Sequence, residues 1–181
     1  MELCIFNKIE DDLCIKGILE KDNVSVLRNI IEFSETEGVT SSAIKEYVAT
    51  RLANDDNILS RLAQAGKFIG DDLYRLAKFD IEQIYKKLFS TQIKYAPSGN
   101  PIGFSNGYVA SIRAITESKS AQELLDLLIE HYRKFGSGIL AKYNAFRYDG
   151  ELIGVTNTDD ITFDSLVGIE YQKQVLIDNT K

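Results

Sequence analysis

Few residues in this chain could carry acid–base, nucleophilic or metal chemistry, and their spacing argues against most of it. There is one histidine, His131, and there are two cysteines, Cys4 and Cys14. A Ser-His-Asp or Cys-His site would have to use His131, which lies in a leucine-rich run with no nucleophile near it in sequence. Its spacing predicts a histidine at the edge of a packed helix face. His131, Cys4 and Cys14 lack the paired spacing of zinc ligands, and the two thiols read as free in a reducing cytoplasm. A magnesium site made only of carboxylates stays open at this level.

Three acid pairs, Asp55-Asp56, Asp71-Asp72 and Asp159-Asp160, have the residue type for paired-carboxylate catalysis. Each precedes a segment of apolar periodicity, where a carboxylate accepts hydrogen bonds from unpaired helix amides. The first two are therefore expected to be helix caps and the third a linker turn. A phosphate-cradling G-x-x-x-x-G-K-[ST] string does not occur, and Gly66-Lys67-Phe68 lacks both the earlier glycine and the hydroxyl. Leu127-Leu128-Ile129-Glu130 has the look of an apolar strand ending in an acid, but its 3.6-residue stripe makes it a helix. Gly136-Ser137-Gly138 fits C-cap chemistry better than anion binding.

The elements that must hold these residues are mostly helical. The first twenty residues are ambiguous between helical spacing (Ile5, Ile9, Leu13) and a short strand at Cys4-Ile5-Phe6, and Gly17 weakens a long helix. A stripe of Val24, Leu27, Ile30, Ile31 and Phe33 predicts a helix capped by Asp22 or Asn23 and ended near Gly38. Thr40, Ser41 and Ser42 offer the next cap, before Ile44, Tyr47, Val48 and Leu52. A short helix through Ile58, Leu59 and Leu62 closes at Gly66. Another from Leu73 either runs on or restarts at Asp80 to cover Ile81, Ile84, Tyr85 and Leu88. Pro97 and Pro101, with Gly99, Asn100 and Gly103, mark a loop over 96–107. After a helix over 108–115, Ser120-x-x-Glu123 reads as a capping box for a helix ended by Gly136. Tyr143 to Val155 predicts a β-hairpin around Asp149-Gly150. The fold class is thus mainly α: a multi-helix domain with a short antiparallel β-hairpin near the C-terminal end.

At 181 residues the chain can bury a proper core, and its 44% apolar and 27% charged composition is ordinary for a globular protein. No run reaches the length of a membrane span, and the start lacks the basic region of a signal peptide. These observations predict a cytoplasmic protein with no membrane partner. The net charge of −6 argues against a general nucleic-acid surface. Residues 39–95 alone are mildly basic, with nine basic and seven acidic groups, and Lys78, Lys86, Lys87 and Lys94 read as a solvated helix face.

The last twenty-one residues are the most informative. Ile161-Thr162-Phe163-Asp164-Ser165-Leu166-Val167-Gly168-Ile169-Glu170-x-Gln172-Lys173 resembles the lead-in segment of AAA+ ATPases, where "L-(V/I)-G-x-(E/D)" precedes the first core strand and Walker A loop. With the block Gly136 to Tyr148 before it, the chain resembles the N-terminal region of an uncharacterised bacterial family of AAA+ ATPases. The resemblance covers residues 135–181; the helical front follows it only loosely. It implies that Val167 and Gly168 lie against adenine with Ile169 flanking, since glycine lets the backbone approach the base. Walker A, Walker B, sensor residues and arginine finger do not occur, so the fragment is expected to hold no cofactor and to be no enzyme. ATP and magnesium belong to the full-length protein the resemblance implies. The expected organisation is a helical N-terminal domain (1–135), a glycine turn and β-hairpin (136–157), and a linker leading into a truncated AAA+ core (158–181).

The expected function is that of a non-catalytic N-terminal domain that recruits a protein client or substrate, or regulates its own downstream ATPase core. Nucleic acid is not expected as a partner, and oligomerisation would belong to the full-length form. Two alternatives are a stand-alone carboxylate enzyme using the 96–107 loop and a helical nucleic-acid-binding module over 39–95. A concave pocket beneath the loop, lined by acids with shifted pKa, would favour the first of these, and basic groups gathered on one face the second.

Overall fold

Polar side chains set several helix starts, and apolar periodicity sets the faces that the helices bury. The structure is a computed structural model and describes residues 1–38, 42–91, 104–156 and 167–180. It is mainly helical with a two-stranded antiparallel hairpin near the C-terminal end. A 3-10 turn over Asn7–Asp11 leads into α1 (Leu13–Glu20) and α2 (Asn23–Glu37). Then come α3 (Ala43–Ala53), α4 (Ile58–Gln64) and α5 (Asp71–Ile84), the last continuing as a π-helical turn over Tyr85–Phe89. Helices α6 (Asn106–Thr116) and α7 (Ala121–Phe135) follow, then the single turn α8 (Ile139–Lys142). Strands β1 (Phe146–Tyr148) and β2 (Leu152–Gly154) pair with Tyr148 opposite Leu152, and α9 spans Glu170–Thr180.

Helix α7 is the hub. It buries Leu124, Leu125, Leu128, Ile129, His131 and Tyr132, too broad a face for one neighbour, and packs against α3, α4, α5, α6 and α8. Its start is the expected one: Ser120 Oγ accepts from the Glu123 amide at 3.1 Å. The Glu123 carboxylate in turn accepts from the amide of Lys119 at 2.6 Å rather than from the amide of the cap residue itself. Gly136, at φ +80°, ends the helix.

Several local expectations are corrected. No strand forms at Cys4–Phe6; those residues bend into the 3-10 turn. Gly17 lies inside α1 because a Cβ there would stand 2.9 Å from Val26 Cγ2, so the glycine permits close α1–α2 packing. That contact rotates α2: Val26, Ile30, Phe33 and Ser34 are buried, whereas Val24 is 72% exposed and Leu27 and Ile31 are 37% and 39% exposed. The acid pairs are not the caps. Asn57 caps α4 in a reciprocal box with Ser60, and Asp56 instead chelates Arg61 at 2.7 Å. Gly70 caps α5 without a side chain, so Asp71 and Asp72 act only as favourable charge in its first turn. The carboxylates that do cap are Asp22, on the Ser25 amide, and Asp12, on the amides of Cys14 and Ile15. The pair Asp159-Asp160 lies outside the described residues. The hairpin forms around Asp149-Gly150 as expected, with a three-residue turn and Gly150 at φ +76°.

Asp80 does not restart a helix; α5 runs through it, and its side chain is fully buried. The carboxylate faces the amino-terminal segment. Oδ2 accepts from the amides of Cys4 (2.9 Å), Ile5 (2.6 Å) and Phe6 (3.1 Å), and Oδ1 also accepts from Cys4 at 3.0 Å. Three successive amides around one anion form a backbone nest. One turn further along α5, Gln83 Nε2 donates to the carbonyl of Glu2. This grip seats Phe6 in the core, with Leu3 and Ile9 on either side of it in sequence.

Replacing Asp80 with alanine strands three amides in a buried setting and is expected to cost about 3 kcal/mol or more of unfolding free energy. Urea denaturation measures the loss, and hydrogen exchange should show amides 4–6 losing protection. A change below about 1 kcal/mol would mean that the nest contributes little.

Candidate functional site

The residues singled out for adenine contact stand apart from the helical core. Val167 is 90% exposed and Ile169 is exposed as well. Gly168 adopts φ +82°, a left-handed conformation that a side chain would strain, and among the described residues nothing lies within 4 Å of where its Cβ would be. The three residues precede α9, which starts at Glu170, and Lys173 bonds back to the Glu170 carboxylate at 3.0 Å. Residues 161–166 of the same motif lie outside the described residues. None of the three lines either of the clefts described below.

His131 is buried and belongs to an aromatic array. Its Nδ1 shares a 2.9 Å hydrogen bond with Ser111 Oγ, and its Nε2 has no partner among the described residues. Tyr108, Tyr132 and Phe135 surround the ring at centroid distances of 5.3–6.0 Å. Burial lowers its pKa from 6.5 to about 4, so the imidazole is neutral near pH 7. The array continues outward from Tyr108 through Phe104 and Tyr143 to Phe146, joining α6 to α8 and β1. Gly154 is required opposite it, because a Cβ there would meet the Tyr143 ring at 2.2 Å.

Cys14 is not an activated nucleophile. Burial, reinforced by the Asp12 carboxylate, pushes the Cys14 thiol up to about 12 against the weaker pull of Arg51. Cys4 is exposed, and its amide is held by Asp80. Of the acid pairs, Asp55 is raised by burial, while the Arg61 hydrogen bonds lower Asp56. They serve different neighbours rather than a shared reacting atom. Among the described residues no group of three or more His, Cys, Asp or Glu is gathered as metal ligands.

Tertiary packing does assemble a polar cluster that the pattern of residues did not single out. Asp12, besides capping α1, accepts from Tyr47 Oη at 2.8 Å and pairs with Arg51 Nε at 3.1 Å. Arg51 also donates to Tyr47 Oη at 3.0 Å and stacks over that ring. Burial, the leading cause, raises the Tyr47 pKa, so its hydroxyl remains a donor. Nearby, Lys142 Nζ bonds both oxygens of Glu37 at 2.9 Å and lies over the Phe104 ring. Glu37 and Phe104 also line a cleft together with Glu46, Thr50 and Tyr108. Phe104 brings it to the end of the 96–107 loop, of which residues 96–103 lie outside the described residues. The cleft has a volume of about 20 Å³, room for about one water molecule.

The missed residues carried a partial signal. Asp80 shares a helix face with Ala77, Ile81 and Ile84, so periodicity alone places it inward. Glu46 is buried, and Asp12 is half-buried with Tyr47, a partner distant in sequence, which no local pattern shows. Of the lysines that suggested a basic face, Lys86 and Lys87 are exposed and Lys78 is half-buried, while Lys94 lies outside the described residues.

The buried histidine sets a pH dependence. Its folded pKa lies below the unfolded value, so its favourable contribution is complete above pH 6.5 and is lost as pH falls toward 4. The loss attributable to His131 should reach about 3 kcal/mol below pH 4. Comparing urea unfolding of the protein and of His131→Phe between pH 7 and 4 isolates it: the variant should lose less. Parallel pH profiles would show that the imidazole is not held neutral.

No helix among the described residues is long and apolar enough to cross a membrane. No protein-family model matches the chain, and searches of curated proteins and of solved structures return no match to it.

Proposed function

We propose that this chain is the non-catalytic N-terminal domain of a cytoplasmic AAA+ ATPase, recruiting a protein client or regulating the core that follows it. The observation that supports this reading most directly is the presentation of Val167-Gly168-Ile169. An apolar–glycine step stands clear of the core, open on the side where a Cβ would be, immediately before a helix that begins at the motif's acid, Glu170. An adenine edge needs just this: a bare backbone and an apolar contact on a segment free to receive a base. Phosphates and magnesium would be held by a downstream core, which this reading supplies and the chain itself does not contain.

The helical front supports the recruiting role through what its polar groups do. Asp12, Asp80, Asn57 and Glu37 are each committed to a cap, a nest or an ion pair, and His131 is held neutral in an aromatic array. Their roles as described are structural ones.

The test is nucleotide binding by the same chain continued through its natural reading frame. Calorimetry should show ATP binding by the extended protein and none by residues 1–181 alone. In the extended protein, Gly168→Val should weaken binding by about ten-fold or more, since a branched side chain would fill the space left for the base. An extended protein that binds no ATP overturns the reading.

A further inference from the structure

The loop between α4 and α5 holds a phenylalanine in water. Phe68 is 85% exposed. It is nonetheless placed by well-defined local geometry. Gly66 turns the chain at φ +64°, the Lys67 amide closes the turn on the Leu62 carbonyl at 2.9 Å, and Ile69 packs against the core. Two residues later Gly70 caps α5. Phe68 borders an open groove of about 520 Å³ whose apolar floor is Ile69 and Ile129. One wall is Tyr74; the other is the outer face of α7, with Asp126, Glu130 and Arg133 in a row. Asp126 is oriented by hydrogen bonds from Tyr74 Oη and Gln122 Nε2, both at 3.1 Å. Glu130, one turn on, has no hydrogen bond or ion pair among the described residues.

We infer that this groove is a docking site for an extended peptide segment of a protein partner, carrying a basic side chain beside an aliphatic one. The inference rests on the recruitment reading and names the chemistry of the client. The aliphatic side chain covers Phe68, Ile69 and Ile129, and the basic one pairs with Glu130 beside the preset Asp126 carboxylate. Two carboxylates against one guanidinium, Arg133, leave the wall with a net charge of −1, which sets the sign of the partner. A pre-placed aromatic anchor loses little conformational entropy on binding, and its desolvation supplies the non-polar part of the affinity.

The probe is a fluorescein-labelled acetyl-Gly-Leu-Arg-Leu-Arg-Gly-amide, with a second peptide in which glutamate replaces both arginines. Anisotropy with the full 181-residue chain should show the arginine peptide binding at least about ten-fold more tightly than the glutamate one. Phe68→Ser should weaken the arginine peptide by about ten-fold, and Glu130→Lys should erase or invert the preference between peptides. Both side chains are exposed, so the thermal midpoint should be unchanged, and it is measured as the folding control. Equal binding of the two peptides, no binding of either, or self-association of the chain through Phe68 overturns the proposal. Nucleotide binding by the extended protein is a separate readout, so failure here is distinguishable from failure of the ATPase reading.

Discussion

A single buried carboxylate organises the front of this molecule. Asp80 gathers three consecutive amides that no helix or strand would otherwise satisfy, and buried amides without partners are costly. The anion is tolerated in the interior because those donors replace its water shell. Once residues 4–6 are fixed, Phe6 enters the core and the 3-10 turn delivers Asp12 to the head of α1. Asp12 then repeats the device at a second junction, capping α1 while bonding Tyr47 and Arg51 of α3. Two aspartates thus join the first twenty residues to α5 and α3. Truncating either side chain would free backbone and side-chain donors together.

A second arrangement is organised by rings rather than charges. Helix α7 brings His131, Tyr132 and Phe135 to one side, α6 adds Tyr108, and the array passes through Phe104 to Tyr143 and Phe146. A two-stranded hairpin is marginal by itself, so its docking depends on this aromatic path. The Glu37–Lys142 pair and the bond from the Ser105 amide to the Lys142 carbonyl add to it. Gly154 makes the closest approach possible, since any side chain there would displace Tyr143.

These two arrangements leave distinct surfaces for work. The small cleft at Glu37, Glu46 and Tyr108 has a volume of about 20 Å³, and Glu37 on its wall is already paired with Lys142. The Phe68 groove and the Val167–Ile169 step are the contrary case: apolar groups in water beside few committed polar ones. Exposed aromatic and aliphatic groups held in defined positions suit recognition of another chain or of a base better than they suit chemistry on a small substrate.

Much of the helical layout was legible in the linear sequence, because caps and stripes are local. Ser120 with Glu123, the leucine run after them, Gly136, Gly66 and Asp149-Gly150 each act within a few residues of themselves. Faces and partners were not legible in the same way. Val24, Leu27 and Ile31 belong to a good apolar stripe, yet they are exposed because Gly17 draws Val26 against α1 and turns the helix. Asp55-Asp56 has the composition of a cap and loses the position to Asn57, whose side chain completes a reciprocal bond with Ser60. Asp80 announced its inward face by periodicity, but its partners lie more than seventy residues away. Sequence alone therefore determined where several helices begin or end, α7 above all, since a few neighbouring residues settle that capping and turn geometry. Only the tertiary structure decided which faces are buried and which carboxylates hold the fold, because close packing and buried hydrogen bonds depend on atoms that meet across the chain.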